Sequence, residues 1–287
     1  MIEKQSFGRT NHISSRIIFN AAIFGMLTQS RADRLMDVLS YYGVNHIDSM
    51  ASYGSAEARL GNCLKNQRQD IFLATRIKER GYQKAREQFH RSLERLQMEQ
   101  VDMLQLHNLV EPDEWDAALG TGGALEMAVE AREQGLTRFI GVTGDSITAP
   151  MMHKRSLERF DFDAVSLPCN YVMMQHPQYS ADFEALAALC RERDVAIQGT
   201  AAIARGRWGN KTRIHTTWYE PLESQSAIKQ TLHWLLGKLD VFLNTVEDTQ
   251  LLPKVLEAAN SFQAMPSEGA MNRLVIEQKM TPLFETA

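Results

Sequence analysis

Four side chains able to hold or steer a proton fall at the ends of apolar runs. "NHIDSMASYG" (45–54) closes an apolar run on Asp48 and sets Tyr53 and Gly54 just beyond it. "IFLATR" (71–76) closes on Arg76, and "VDMLQLH" (101–107) closes on His107. Singly, each has an ordinary structural use: an acid caps a turn, a histidine hydrogen-bonds in the core, a loop tyrosine packs. Together they suit proton transfer coupled to hydride transfer. A carbonyl that accepts hydride becomes an alkoxide and needs a proton at once. A tyrosine hydroxyl can supply it, but its free pKa near ~10 is high for work at neutral pH, and a nearby cation lowers that value. A carboxylate fixes the cation, and an imidazole aligns the carbonyl oxygen.

These residues meet only if the runs that carry them are neighbouring strands. Eight β-branched runs alternate with helical patterns: "RIIFNA" (16–21), "VNHID" (44–48), "IFLATR" (71–76), "VDMLQLH" (101–107), "RFIGVT" (138–143), "FDAVSL" (162–167), "VAIQGT" (195–200) and "DVFLNT" (240–245). Helical stretches such as "SRADRLMDVLSYYG", "GYQKAREQFHRSLERLQ", "YSADFEALAALCRERD" and "QSAIKQTLHWLLGKL" lie between them, and "TQLLPKVLEAANSF" reads as the last helix. This alternation predicts a (β/α)8 TIM barrel formed by one domain over residues 1–287. A turn at Arg9-Thr10-Asn11 predicts a short N-terminal β-hairpin capping the barrel's bottom. Catalytic groups of such a barrel sit at the C-terminal ends of its strands, where Asp48, Arg76 and His107 fall. The rival is an open doubly wound sheet, which expects a Gly-rich turn after its first strand; "AAIFGMLTQS" has one glycine there. The cluster "LGTGGALE" (119–126) follows a polar stretch and reads as a loop and helix start rather than a phosphate cradle.

Composition narrows the partners. A net charge of −4 argues against nucleic acid, which calls for a basic face. No apolar run approaches the length of a membrane span, and the N-terminus has no signal-peptide core. Three well-separated cysteines, Cys63, Cys169 and Cys190, fit a reducing compartment and give neither a disulfide framework nor zinc spacing. The expectation is a cytoplasmic protein without a metal that acts on a small molecule.

The blocks "HIDSMASYG", "SAEARLG", "IFLATR", "SLERLQMEQVDMLQLHNL" and "GLTRFIGVTG" are similar, in order and spacing, to the aldo-keto reductase family over about residues 6 to 262. The resemblance implies a barrel that binds NADP(H) or NAD(H) in extended form without a Rossmann motif. It implies that Tyr53 is the general acid, supported by Asp48, a lysine and His107. It also implies an aldehyde, ketone or alcohol as substrate.

The sequence departs from the family pattern in several places. Arg76 stands where the family has lysine; it keeps the charge and can pair bidentately with Asp48, but cannot give up its proton. Lys78, two residues on, is the alternative cation. On the cofactor side, Thr143 and Gly144 stand where the family has a polar pair. Ser166 stands for a glutamine, Asn170 is kept, and Thr200 replaces a stacking tyrosine. "LNTVEDTQLLPK" offers Asn244, Thr245 and Gln250 in place of a phosphate clamp, with Lys254 one helical turn beyond and Glu247 and Asp248 repelling a phosphate. Two lost charge-assisted contacts, at about 1.5–3 kcal/mol each, weaken 2′-phosphate binding by roughly two to four decades. The loop "ARGRWGNKTR" (204–213) is either a basic cover over the cofactor, led by Arg205, or a solvated charged loop. Trp208, Met50 and Met26 are candidate substrate walls. Two functional classes follow: a nicotinamide-dependent oxidoreductase, or a barrel with a degenerate cofactor site serving as a binding or regulatory protein.

Overall fold

Runs apolar on both faces become parallel strands covered by helices, because only burial on both sides removes their side chains from water. The computed structural model describes residues 1–65, 67–238 and 240–284. Leu239, at the end of the "QSAIKQTLHWLLGKL" pattern, lies outside them. Strands β1 (Lys4–Ser6) and β2 (Ile13–Ser15) pair antiparallel as the expected N-terminal hairpin. Seven parallel strands follow in chain order: β3 (Ile17–Asn20), β4 (His46–Asp48), β5 (Phe72–Ile77), β6 (Val101–Leu106), β7 (Thr137–Thr143), β8 (Ala164–Pro168) and β9 (Ala196–Thr200). A two-stranded hairpin, β10 (Ala204–Gly206) with β11 (Glu220–Pro221), leaves the barrel before β12 (Val241–Asn244) closes it between β9 and β3.

Two features differ from the sequence-based expectation. β10 falls within the stretch 204–213 read as either a basic cover or a solvated charged loop, and its partner β11 lies beyond that stretch, so a short hairpin stands where no strand was expected. A further helix, Glu268–Gln278, follows the one expected to be last, which runs Leu252–Asn260. Ser267 caps that further helix, its hydroxyl accepting from the Ala270 N–H at 3.3 Å.

The barrel interior is layered by the strand period of two. Its lower layer is apolar: Ile18, Phe72, Ala74, Met103, Ala164, Ala196 and Phe242 form one buried cluster, and Phe7 from the hairpin loop plugs it from below. The Phe7 ring lies 4.9 Å from Phe242 and 4.7 Å from His46, edge-on to both. Arg9 holds the hairpin in place by donating to Asp163 at 2.9 Å and to the Asp161 carbonyl at 2.8 Å. Gly8 has φ +50°, and a Cβ there would meet the Asp194 carbonyl at 2.6 Å, so the turn needs glycine. Two residues further along the strands from this apolar layer stand Asn20, Arg76, Gln105, Ser166, Gln198 and Asn244, so the same alternation that seals the bottom makes the top polar.

Truncation of the plug tests this arrangement. Phe7→Ala should cost about 3–5 kcal/mol of unfolding free energy by chemical denaturation. A loss under about 1 kcal/mol would show that the hairpin decorates the barrel rather than filling it.

Candidate active site

The upper layer is organised around one carboxylate. Asp48 ends β4 and is 2 % exposed. Its Oδ1 accepts from Arg76 Nε at 3.2 Å and Gln105 Nε2 at 3.1 Å. Its Oδ2 accepts from Arg76 Nη2 and from Asn244 Nδ2, the latter at 2.9 Å. Gln105 in turn accepts from Gln198 Nε2 at 3.2 Å, extending the network across the barrel. Gly141 of β7 makes room for Gln105: a Cβ there would lie 3.1 Å from its Cγ. Burial alone would lower the Arg76 pKa, but the Asp48 charge and hydrogen bonds outweigh it and the net direction is upward. Arg76 is therefore a fixed, permanent cation.

His107 follows β6 directly. Its Nδ1 lies 3.1 Å from the Thr143 hydroxyl, which also accepts the Asn108 N–H at 3.0 Å. With the Thr143 hydroxyl proton donated to Nδ1, the imidazole proton stands on Nε2. Burial, and then the charges of Arg76, Lys78 and Arg80, lower the His107 pKa to about 3, so the ring is neutral at physiological pH.

Tyr53, in the loop after β4, completes the group. Gly25 lets that loop approach, because a Cβ at Gly25 would meet the Tyr53 carbonyl at 2.6 Å. Asp48 lies directly beneath a cavity of about 270 Å³ at the C-terminal mouth of the barrel, lined by Tyr53, Arg76 and His107. Burial raises the Tyr53 pKa; Arg76 opposes this, Glu247, Asp48 and Asp145 add to it, and the net direction is upward, the reverse of the lowering expected from a nearby cation. Lys78 also lines the cavity, but its side chain is exposed. Arg76, not Lys78, is the cation that pairs with Asp48.

The nine residues singled out on the cofactor side separate into two groups. Thr200, Asn244 and Thr245 line the cavity. Thr143 lies behind His107 and orients it. Gly144 packs against Val110 and His153, with no room for a side chain. Ser166 is buried with its hydroxyl unpartnered, while Asn170 is spent on the Ala201 carbonyl and the Met173 N–H at 3.2 and 2.9 Å. Arg205 donates to the Gln278 carbonyl at 2.8 Å and pairs with Glu220 at 3.2 Å, and Lys254 donates to the Glu223 carbonyl at 2.6 Å. Asp248 accepts from Thr216, Gln250 and Leu251 N–H groups and so ties the loop after β9 to the loop after β12. Of the candidate walls, Met50 lines the cavity, Trp208 lines an adjoining one, and Met26 is exposed.

Sequence reasoning missed Asn20, Asp145, Trp218 and Tyr219, all on the cavity wall. It placed Glu247 only as a source of repulsion; its side chain lines the cavity, held by Asn20 Nδ2 at 2.9 Å. Asp145 lies two residues past the end of β7 and was within reach of the strand-end rule. Trp218 and Tyr219 belong to a loop whose course no periodicity marks. Among the described residues no cluster of three or more His, Cys, Asp or Glu side chains is arranged to hold a metal ion, and no helix is long and apolar enough to cross a membrane.

A closed eight-stranded parallel barrel with a tyrosine, an arginine and a histidine around one cavity at its mouth is the frame of one oxidoreductase family. The family description "Aldo/keto reductase family" matches residues 19–271, and the chain belongs to that family. Among curated proteins it is 31 % identical to L-galactose dehydrogenase of Arabidopsis thaliana over 159 residues, 50 % of this chain and 49 % of that one. It is 24 % identical to an uncharacterized oxidoreductase of Bacillus subtilis (strain 168) over 192 residues, 62 % of this chain and 58 % of that one. The chain thus spans about half the length of the curated relatives it matches. Its fold is that of an aldo-keto reductase from Bacillus halodurans in holo form, with TM-score 0.71, 18 % identity and 100 % and 99 % of the two chains covered. An aldo-keto reductase from Klebsiella pneumoniae in complex with NADPH aligns over 100 % of both chains with TM-score 0.71 and 13 % identity.

Two measurements check the site. Asp48→Asn leaves Arg76 charged and buried without its partner, and should cost about 3–5 kcal/mol of stability in denaturant titrations. The His107 imidazole should stay neutral on acidification to about pH 4 when followed by nitrogen NMR shifts, whereas an ordinary histidine titrates near ~6.5.

Proposed function

We propose that this protein interconverts an aldehyde or ketone with the corresponding alcohol, using NADP(H) or NAD(H), and that Asp48, Tyr53, Arg76 and His107 carry the proton chemistry. The observation that carries the reading is the Tyr53 hydroxyl in one cavity with a neutral imidazole and a guanidinium fixed on a buried carboxylate.

The residues present fit a nicotinamide dinucleotide. Asn244 lines the cavity with its Oδ1 unpartnered, leaving a buried acceptor for the nicotinamide end. Past Trp218 and Tyr219 the cavity adjoins a second one of about 560 Å³, where Arg213 and Trp208 would hold the phosphate end. When bound, the cofactor supplies or accepts the hydride. The protein does the rest. His107 donates its Nε2–H to the carbonyl oxygen and, being neutral, keeps its own proton. Tyr53 passes its hydroxyl proton to that oxygen as negative charge develops. The Arg76 cation stabilises the tyrosinate left behind, and Asp48 keeps Arg76 in place. Since guanidinium does not release its proton, Arg76 acts by charge alone.

The binding-protein alternative was motivated by losses in the cofactor site. The loss of lysine does not support it, because Arg76 supplies a cation paired with Asp48 whose charge acts on Tyr53.

Tyr53→Phe should lower carbonyl reduction about 10²–10⁴-fold while leaving cofactor binding in place. Because Tyr53 holds its proton above the ordinary tyrosine range, reduction should be flat between about pH 6 and 9. Oxidation of the alcohol, which needs the deprotonated form, should keep rising through that window. With Lys254 and Arg205 engaged by the protein itself, NADH and NADPH should bind with affinities within about tenfold of each other. Tryptophan fluorescence titration reads this directly, and a preference for NADPH of two decades or more would contradict it.

A further inference from the structure

The segment that carries His107 leaves its strand through an unusual turn. The His107 N–H donates to the Ile77 carbonyl of β5 at 2.9 Å, and the Leu109 N–H donates to the Thr143 carbonyl of β7 at 2.9 Å. Between them Asn108 has φ +53°, a left-handed conformation that persists in a non-glycine residue only where the surroundings fix it. Its N–H donates to the Thr143 hydroxyl at 3.0 Å, and its Oδ1 accepts from the Asp145 N–H at 2.8 Å.

The remaining support is Arg80. Its Nη1 donates to the His107 carbonyl at 2.7 Å, and its Nη2 to the Asn108 carbonyl at 3.2 Å. One planar guanidinium therefore spans two successive carbonyls. The peptide plane between His107 and Asn108 is gripped at both edges, its carbonyl by Arg80 and its N–H by Thr143. The same Thr143 hydroxyl meets the imidazole Nδ1, so ring and backbone are tied to one point. His107 lines the catalytic cavity, whereas Arg80 stands outside its lining and lines the neighbouring cleft. Arg80 can thus reach the reacting atoms only through His107.

The guanidinium is itself held. Its Nε and Nη2 donate to Glu114 Oε2, on the helix Pro112–Leu119, at 3.2 and 2.5 Å. Its backbone is seated on the glycine cluster of 119–126. The Arg80 carbonyl accepts from the Ala124 N–H at 2.7 Å, and the Tyr82 N–H donates to the Gly122 carbonyl at 2.8 Å. Gly122 has φ +71°, and Gly81 and Gly123 face each other as an isolated antiparallel bridge. The cluster is the footing of Arg80.

We propose that Arg80 is a positioning residue for His107: by clamping the peptide that follows the imidazole, it holds Nε2 aimed at the substrate oxygen. The consequence for turnover rests on the oxidoreductase reading; the clamp itself does not. A displacement on the order of 1 Å in a group aligned with the reacting atoms lowers a rate by about 100-fold. Lysine is no substitute here, because a single ammonium nitrogen keeps the charge but cannot hold two carbonyls and a carboxylate in one plane.

Arg80→Lys and Arg80→Met, each checked for folding, test this in the whole protein. Two readouts are taken: nitrogen NMR shifts of the His107 ring, and steady-state reduction of propanal and benzaldehyde with NADH and NADPH. The wild-type ring should show one neutral tautomer, its proton on Nε2. In both variants the two ring nitrogen shifts should move towards each other as the second tautomer becomes populated. Their kcat should fall about 10- to 100-fold with little change in KM. Should the methionine variant fail to fold, the lysine variant decides. Ring nitrogens unchanged in the variants, or an unchanged kcat in an active enzyme, overturn the proposal. A wild type that reduces neither aldehyde, with the single tautomer lost in the variants, upholds the clamp and defeats the oxidoreductase reading. An active wild type with unaffected variants does the reverse.

Discussion

The site depends on a guanidinium and a carboxylate removed together from water. Arg76 and Asp48 sit on adjacent strands, both nearly fully buried, and neither is tolerable there alone. The pair fixes the ends of two strands, recruits Gln105 and Asn244 from two more, and sets a permanent positive charge close to a phenol. A lysine could do part of this, but a planar fork binds both carboxylate oxygens at once and so resists rotation. The charge-bearing atoms are thus positioned by strand register rather than by a loop, which is the more rigid support.

The same register divides the barrel into a sealed bottom and a polar top. Aromatic and aliphatic side chains fill the lower layer around Phe7, and polar ones begin two residues further along six of the eight strands. One consequence is electrostatic. Buried above this apolar packing, the groups at the top are poorly screened, which is why His107 is held neutral and Tyr53 holds its proton firmly. In such surroundings a neutral imidazole that donates a hydrogen bond is better suited to aligning a carbonyl than a charged one, because it brings no second cation beside Arg76.

Much of this was legible in the sequence, and the limits have physical causes. Strand ends are marked by the change from apolar to polar residues, so Asp48, Arg76 and His107 could be placed before any coordinates. The substitution of lysine by arginine was visible, but not which cation would pair with Asp48, since Arg76 and Lys78 differ by one strand period and face the same side. Loop side chains escaped because burial there follows tertiary contacts, not periodicity. Trp218 and Tyr219 reach the cavity through the β10–β11 hairpin, which has two short strands and no alternation to announce it. Arg205 and Lys254 looked available to a phosphate because their internal acceptors, Glu220 with the Gln278 carbonyl and the Glu223 carbonyl, lie elsewhere in the chain. Asp248 looked repulsive for the same reason, while its carboxylate is consumed in joining two loops.

The central claim is that a permanently charged arginine, locked on Asp48, is a working electrostatic partner for Tyr53. Steady-state reduction of an aldehyde by the wild type, Arg76→Lys and Arg76→Gln, each checked for folding, tests it most directly. The account predicts an active wild type, a lysine variant no more active than it, and a glutamine variant reduced by about two decades or more. An inactive wild type that gains turnover with lysine, or a glutamine variant as fast as the wild type, would contradict it.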